Sequence, residues 1–216
     1  MLSRAEIKMM ARAQIKGNIG VLFICNFIPI LLCAALSYTG GVGALAGQIM
    51  QPAFSMSLVM IYLALSYGER PVVNDVFSGF RIFVKSLWVY FLISAFTALW
   101  SLLLIVPGIV KGLSYSMAPY ILAENPDMDA LDAINSSREL MQGHKMDFFM
   151  LGLSFIGWAI LVAATLGIAG VYVISYIQAT VANFYNAIKE TKQYELDWIM
   201  RDESPVSADP DNFTSC

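Results

Sequence analysis

Charge is what this chain has least of. Of its 216 residues only 13% are Asp, Glu, Lys or Arg, while 58% are hydrophobic; soluble domains sit near a quarter and a half respectively. With a mean hydropathy of +0.65, the composition excludes a soluble globular domain, a disordered chain and a nucleic-acid binder. Histidine occurs once, at His144, and cysteine three times, at Cys25, Cys33 and Cys216. A lone histidine cannot assemble a metal site, and no Cys-x-x-Cys spacing supports a zinc or redox motif. There is no Gly-x-Ser-x-Gly, phosphate loop or His-Glu-x-x-His. The chain is therefore read as non-enzymatic, with no catalytic residue, metal ligand or cofactor site to name.

Carboxylates are missing where they would matter most. Gly17 to Gly68 is 52 residues without a charge, Phe148 to Ile188 is 41, and Ser86 to Ala123 is 38 interrupted only by Lys111. A membrane span takes roughly 20 apolar residues, so each block holds two. Turn residues lie near each middle: Gly40-Gly41-Val42-Gly43, Pro107-Gly108, and Gly167 with Gly170. The expected fold is all-α and polytopic. It has six transmembrane helices, at about 19–37, 46–67, 86–106, 108–123, 148–166 and 170–188. No Asp or Glu falls inside them, which removes the usual carboxylate of a proton-coupled pump.

The few charges are sorted. Twelve of the 13 Lys and Arg fall in segments on one side of the six spans, Lys111 being the exception. The positive-inside rule makes that side cytoplasmic, with both termini there, in a cell membrane. The net charge of −3 comes from the end of the chain, where Glu195, Asp197, Asp202, Glu203, Asp209 and Asp211 face one base, Arg201. Residues 1–190 form the expected membrane domain, and 191–216 an acidic tail with no folded core. The first span is expected to be retained, since the uncharged run goes far beyond a signal-peptide core.

A threefold pattern runs through the membrane domain. Each block follows a segment of helical character ending in Lys16, Lys85 or Lys145, so the spans form three hairpins, each preceded by an amphipathic cytoplasmic helix. The first such helix opens with Ser3-x-x-Glu6, a capping box, and sets Lys8, Arg12 and Lys16 on one face beside Ile7, Ala11 and Ile15. Arg12-x4-Gly17-Asn18-x4-Phe23 parallels Arg138-x4-Gly143-His144-x4-Phe149, and Pro52, Glu69 and Pro71 match Pro107, Glu124 and Pro126 at equal spacing.

Several of these elements combine in a recognisable pattern: Ala118-Pro119-Tyr120, Asn125-Pro126, Ala133-Ile134-Asn135-x-Ser137, Gly143-His144-Lys145, the stretch ending at Trp158, and Ala182-Asn183-Phe184-Tyr185. With the opening basic helix and Lys16-Gly17-Asn18, the chain over about residues 1–190 resembles a bacterial integral-membrane family known as domain of unknown function 975. The resemblance implies a multi-span protein, found mostly in Gram-positive bacteria. It carries over no activity and no functional residue.

Two functional expectations follow. In the first, Lys8, Arg12, Lys16, Arg81, Lys85, His144 and Lys145 contact anionic headgroups or a membrane-protein partner at the inner face. In the alternative, polar residues within the spans, Lys111, Gln51, Ser114 and Gln178, form an intramembrane site of a small-solute transporter or channel built on kinked spans two and four. A polar cavity lined by Gln51, Ser55, Ser114 or Gln178 favours the alternative, and a dry bundle opposes it. Lys111 follows Pro107-Gly108 closely and can instead snorkel to the membrane surface. The fourth span, 16 residues with Pro119 inside it, is short enough to be broken or re-entrant. Gly43-x3-Gly47 and Gly108-x3-Gly112 are expected to let helices pack closely.

Overall fold

A computed structural model describes residues 3–38, 40–103, 105–158, 162, 165 and 170–202. Among them there is no strand. The helices are α1 (Arg4–Lys16), α2 (Ile19–Ser37), α3 (Gly41–Ser66), a 3-10 segment (Val73–Ile82), α4 (Phe83–Leu103), α5 (Ile105–Tyr115), α6 (Ala118–Glu124), α7 (Ala130–Leu140), α8 (Lys145–Leu153) and α9 (Gly170–Asp202). Three stretches are long and apolar enough to cross a membrane: Ile19–Ser37, Gly41–Ser66 and Val73–Leu102. Their outer faces carry Phe23, Phe27, Ile30, Trp88, Phe91 and Leu99 exposed, an apolar surface that lipid tolerates and water does not. α9 has the length, 33 residues, but Gln178, Asn183 and Asn186 make it more polar than α2, α3 or α4.

The capping box forms as expected: the Ser3 hydroxyl accepts from the Glu6 amide at 3.3 Å, and the Glu6 carboxylate accepts from the Ser3 amide at 2.7 Å. It starts α1 so that Ile7, Ala11 and Ile15 fall on one face, and all three are buried, mainly against α9. The parallel with residues 129–155 extends to geometry. Ser3 and Asp129 cap helices with almost the same backbone angles, and Ile19 and Lys145 open the next ones, each pair 126 positions apart. Ile7, Ala11, Ile15, Cys25 and Pro29 are buried, and so are Ala133, Ser137, Met141, Leu151 and Phe155 at that same spacing.

The proline–glutamate match does not carry over in this way. Pro52 lies inside α3, whereas Pro107 falls in the first turn of α5, where a missing amide hydrogen costs nothing. The expected turn at Pro107-Gly108 is therefore helix; α4 ends at Leu103 and α5 begins at Ile105, with residue 104 outside the described residues. Gly108 serves contact instead: a Cβ there would stand 2.2 Å from the Ser101 hydroxyl oxygen. Gly112 faces Thr97 and Gly47 faces Cys33 at ordinary contact distance, where a Cβ would fit, so of these three glycines Gly108 is the one a close approach requires. Gly79 does this for the 3-10 segment, where a Cβ would meet the Ala53 carbonyl oxygen at 2.2 Å.

The expected fourth span is broken. α5 stops at Tyr115 and α6 restarts at Ala118, with Pro119 in its first turn. The Ser137 hydroxyl of α7 bridges the gap, donating to the Ser114 carbonyl at 2.8 Å and accepting from the Met117 amide at 3.2 Å. At the other end of the chain α9 runs on to Asp202, so no helix end marks residue 190. The rest of the acidic tail, with Cys216, lies outside the described residues, as do most of 159–169, where the fifth span and its turn were expected.

Candidate functional site

α2, α3 and α9 leave between them a cleft of about 420 Å3. It runs from Asn26, which is buried, to Ser37 and Ala44, which flank the α2–α3 turn. Gln48, Gln51 and Ser55 enter it from α3 at helical spacing, and Gln178 enters from α9. Ile30, Cys33, Phe54 and Ile174 supply apolar wall, and among the described residues no charged side chain lines it. Gln48, Gln51 and Gln178 make no side-chain hydrogen bond to any described residue. Each carboxamide offers two donors and a carbonyl acceptor, and such groups are costly to leave against hydrocarbon. The cleft therefore suits water or a hydrogen-bonding guest.

Its floor is a side-chain knot. The Asn26 amide donates to the Leu22 carbonyl at 2.8 Å, the Tyr62 hydroxyl at 2.7 Å and the Ser175 hydroxyl at 3.3 Å. Further along α9, Asn183 and Gln14 of α1 exchange two carboxamide bonds, of 2.8 and 3.2 Å. Asn186 donates to the Ser66 hydroxyl at 2.8 Å. Last comes Glu124, which accepts from Tyr67, from Tyr185 at 2.7 Å and from the Lys189 ammonium at 2.6 Å. Burial raises the Glu124 carboxyl, but the Lys189 ammonium and the two phenols outweigh it, and its pKa falls below the ordinary value. One face of α9 thus carries a polar line from the cleft to Glu124, joined to α1, α2, α3 and α6 in turn.

The residues expected to form one intramembrane site separate into three places. Gln51 and Gln178 line the cleft together. Ser114 lies at the α5–α6 break, its hydroxyl bonded to the Val110 carbonyl at 2.8 Å. Lys111 sets its ammonium 4.9 Å from the centre of the Trp100 ring, a cation–π contact between α5 and α4. Of the basic residues expected to meet headgroups, three are engaged within the protein. The Lys8 ammonium donates to the Ser154 hydroxyl at 2.6 Å and lies over Phe155; burial and the neighbouring Arg12 and Arg4 lower its pKa. Arg12 lies over Tyr176, and Lys85 donates to the Pro126 carbonyl at 2.6 Å. His144 is 4.0 Å from Asp147. Lys16 and Arg81 are exposed, and Lys145 is half-buried at the start of α8.

Gln14 was not singled out by sequence, and Glu124 and Ser137 entered only as a repeat match and a motif residue, although each does much to hold this arrangement. Ser137 and Asn183 do fall within the motif residues. No group of His, Cys, Asp or Glu suited to a metal ion occurs among the described residues.

Fold and site together define an all-α protein with membrane-length helices and an uncharged polar cleft between three of them. The chain belongs to the family described as Protein of unknown function (DUF975), whose model matches residues 1–111 and 103–192. Nothing among curated proteins or solved structures matches it.

Proposed function

We propose that this is a six-span protein of a bacterial cytoplasmic membrane, both termini in the cytosol, which admits a small uncharged solute to the cleft among α2, α3 and α9. Residues 108–123 of α5 and α6 make the fourth span, with Glu124 at its cytoplasmic end. The protein is a non-enzymatic carrier or channel in this reading. The observation that carries it is the cleft lining: four carboxamides (Asn26, Gln48, Gln51, Gln178) and two hydroxyls with no charge. Groups that both donate and accept suit a polyol, sugar or amide, whose own groups do the same. The Asn26 knot and the Gln14–Asn183 pair close the way beyond. Proteoliposomes test this. Uptake of labelled neutral polyols should exceed that of empty vesicles and fall several-fold in Gln51→Leu/Gln178→Leu, and Cys33 should react with a membrane-impermeant thiol reagent. No uptake above empty vesicles, with Cys33 unreactive, would sink the reading. A cysteine placed at Thr39 should label from outside intact cells; labelling only after permeabilisation would overturn the orientation.

A second reading keeps the inner face as a lipid or partner surface. Lys16 and Arg81 favour it, being exposed with no partner among the described residues. Lys16→Gln/Arg81→Gln should then weaken binding to anionic liposomes or lose a co-purifying membrane partner.

A further inference from the structure

A groove away from the cleft carries its own chemistry. Two cavities of about 320 Å3 each lie along α5 and α8, and they share Leu113 and Phe149. Among the described residues every side chain lining them is apolar except Lys145 at one end. Lys8, Lys85, Lys189 and Lys192 each donate to a protein acceptor, whereas Lys145 has none among the described residues.

The surrounding charges leave Lys145 free for an outside anion. Asp147, the nearest carboxylate in sequence, is met by Arg4 at 3.8 Å and by His144 at 4.0 Å. Lys145 also opens α8, and His144 at the cap position makes no side-chain capping bond. The unfilled amides of that first turn add positive potential beside the ammonium. An apolar channel that ends at a free lysine and an uncapped helix start matches one kind of molecule: a long hydrocarbon chain with an anionic head.

We infer that the α5–α8 groove seats an acyl chain of an anionic phospholipid, with Lys145 and the start of α8 holding its phosphate. The site is independent of the cleft and of the span count: Lys145 shares its cavity with Val106 and Ile109 at the start of α5, and the phosphate lies at that end of the groove. Positive charge at the membrane surface draws anionic lipid generally; the groove makes this a defined seat for one molecule.

Native mass spectrometry of the full chain, titrated with phosphatidylglycerol or phosphatidylcholine, tests it. The wild type should retain one phosphatidylglycerol in preference to phosphatidylcholine. Lys145→Gln should weaken that binding about tenfold, the scale of a lost charge-assisted bond, and Lys145→Arg should keep it. Val110→Trp should also lose the lipid, because Val110 lines the groove and is 41% exposed, so the larger ring fills groove space. Equal retention of the two lipids, or an unchanged Lys145→Gln, overturns the inference. So does displacement by inorganic phosphate alone, which would make this an ion site, or a dimer that Val110→Trp dissociates, which would make the groove a protein contact.

Discussion

Gln14 and Asn183, 169 positions apart, exchange two carboxamide hydrogen bonds across the contact between α1 and α9. Asn183 is 3% exposed, so removing Gln14 leaves its carboxamide with no water to turn to, while Gln14 itself is half-buried. Gln14→Ala and Asn183→Ala should each cost about 1–3 kcal/mol. The double replacement Gln14→Leu/Asn183→Leu should cost less than the two single changes summed. Denaturant melts in detergent read all of these, and strict additivity would show that the pair does not act as a unit.

Glu124 makes stability depend on pH in a definite direction. Its folded pKa lies below the ordinary carboxylate value, so the unfolded chain takes up the proton first as pH falls. The contribution is complete above the unfolded value and is lost as pH drops through the lower folded one, on the acid side of the ordinary glutamate range. Wild type should exceed Glu124→Gln in melting temperature at pH 7, with the gap closing on acidification. A gap that stays constant to pH 3 would count against an ionised Glu124.

Two glycines should resist the smallest possible enlargement. Gly79→Ala and Gly108→Ala each push a Cβ to 2.2 Å from an oxygen, and about 1–3 kcal/mol of overpacking follows. Gly20→Ala, with nothing within 4 Å of the added carbon, should be neutral or slightly stabilising, because alanine favours helix. Thermal melts of the three variants should fall in that order, and equal shifts would contradict the close approach.

Ser137→Ala should unstitch the break between α5 and α6. The Met117 amide would lose its acceptor and the Ser114 carbonyl one donor, at about 1–3 kcal/mol. Hydrogen exchange at Met117 should speed up selectively, and Ser137→Thr, which keeps a hydroxyl, should restore much of the protection. Unchanged exchange in the alanine variant would refute the bridge.

Helix content and much of its placement could be read from the chain. The first membrane-length helix, Ile19–Ser37, begins and ends where the uncharged run and its turn predict. The short fourth segment with Pro119 announced its own break. What could not be read was the partner that repairs it, because Ser137 lies 23 positions away from Ser114 on another helix. Pro107 misled for a local reason: a proline near a block's middle reads as a turn, yet it fits equally well in a helix's first turn. The candidate site was half legible. Gln51 and Gln178 share a cleft, while Lys111 and Ser114 do not join them. Polarity within a span shows only that a side chain needs a partner, and rotation about the helix axis decides which one. For Lys111 that partner is the Trp100 ring, within reach of its long stem. The matched glutamates make the same point: Glu69 is exposed, whereas Glu124 gathers three donors.

The seat of α1 has a consequence for the order in which the chain is made. Ile7, Ala11 and Ile15 leave the ribosome well before the helix that covers them, α9. Throughout the interval that apolar stripe has no protein surface to rest on, and the membrane surface is the natural place for it to wait. Its docking on α9 is then a late, long-range step. Ribosome-bound chains stalled before Gly170 should leave α1 open to protease, and protection should come only once α9 has been added.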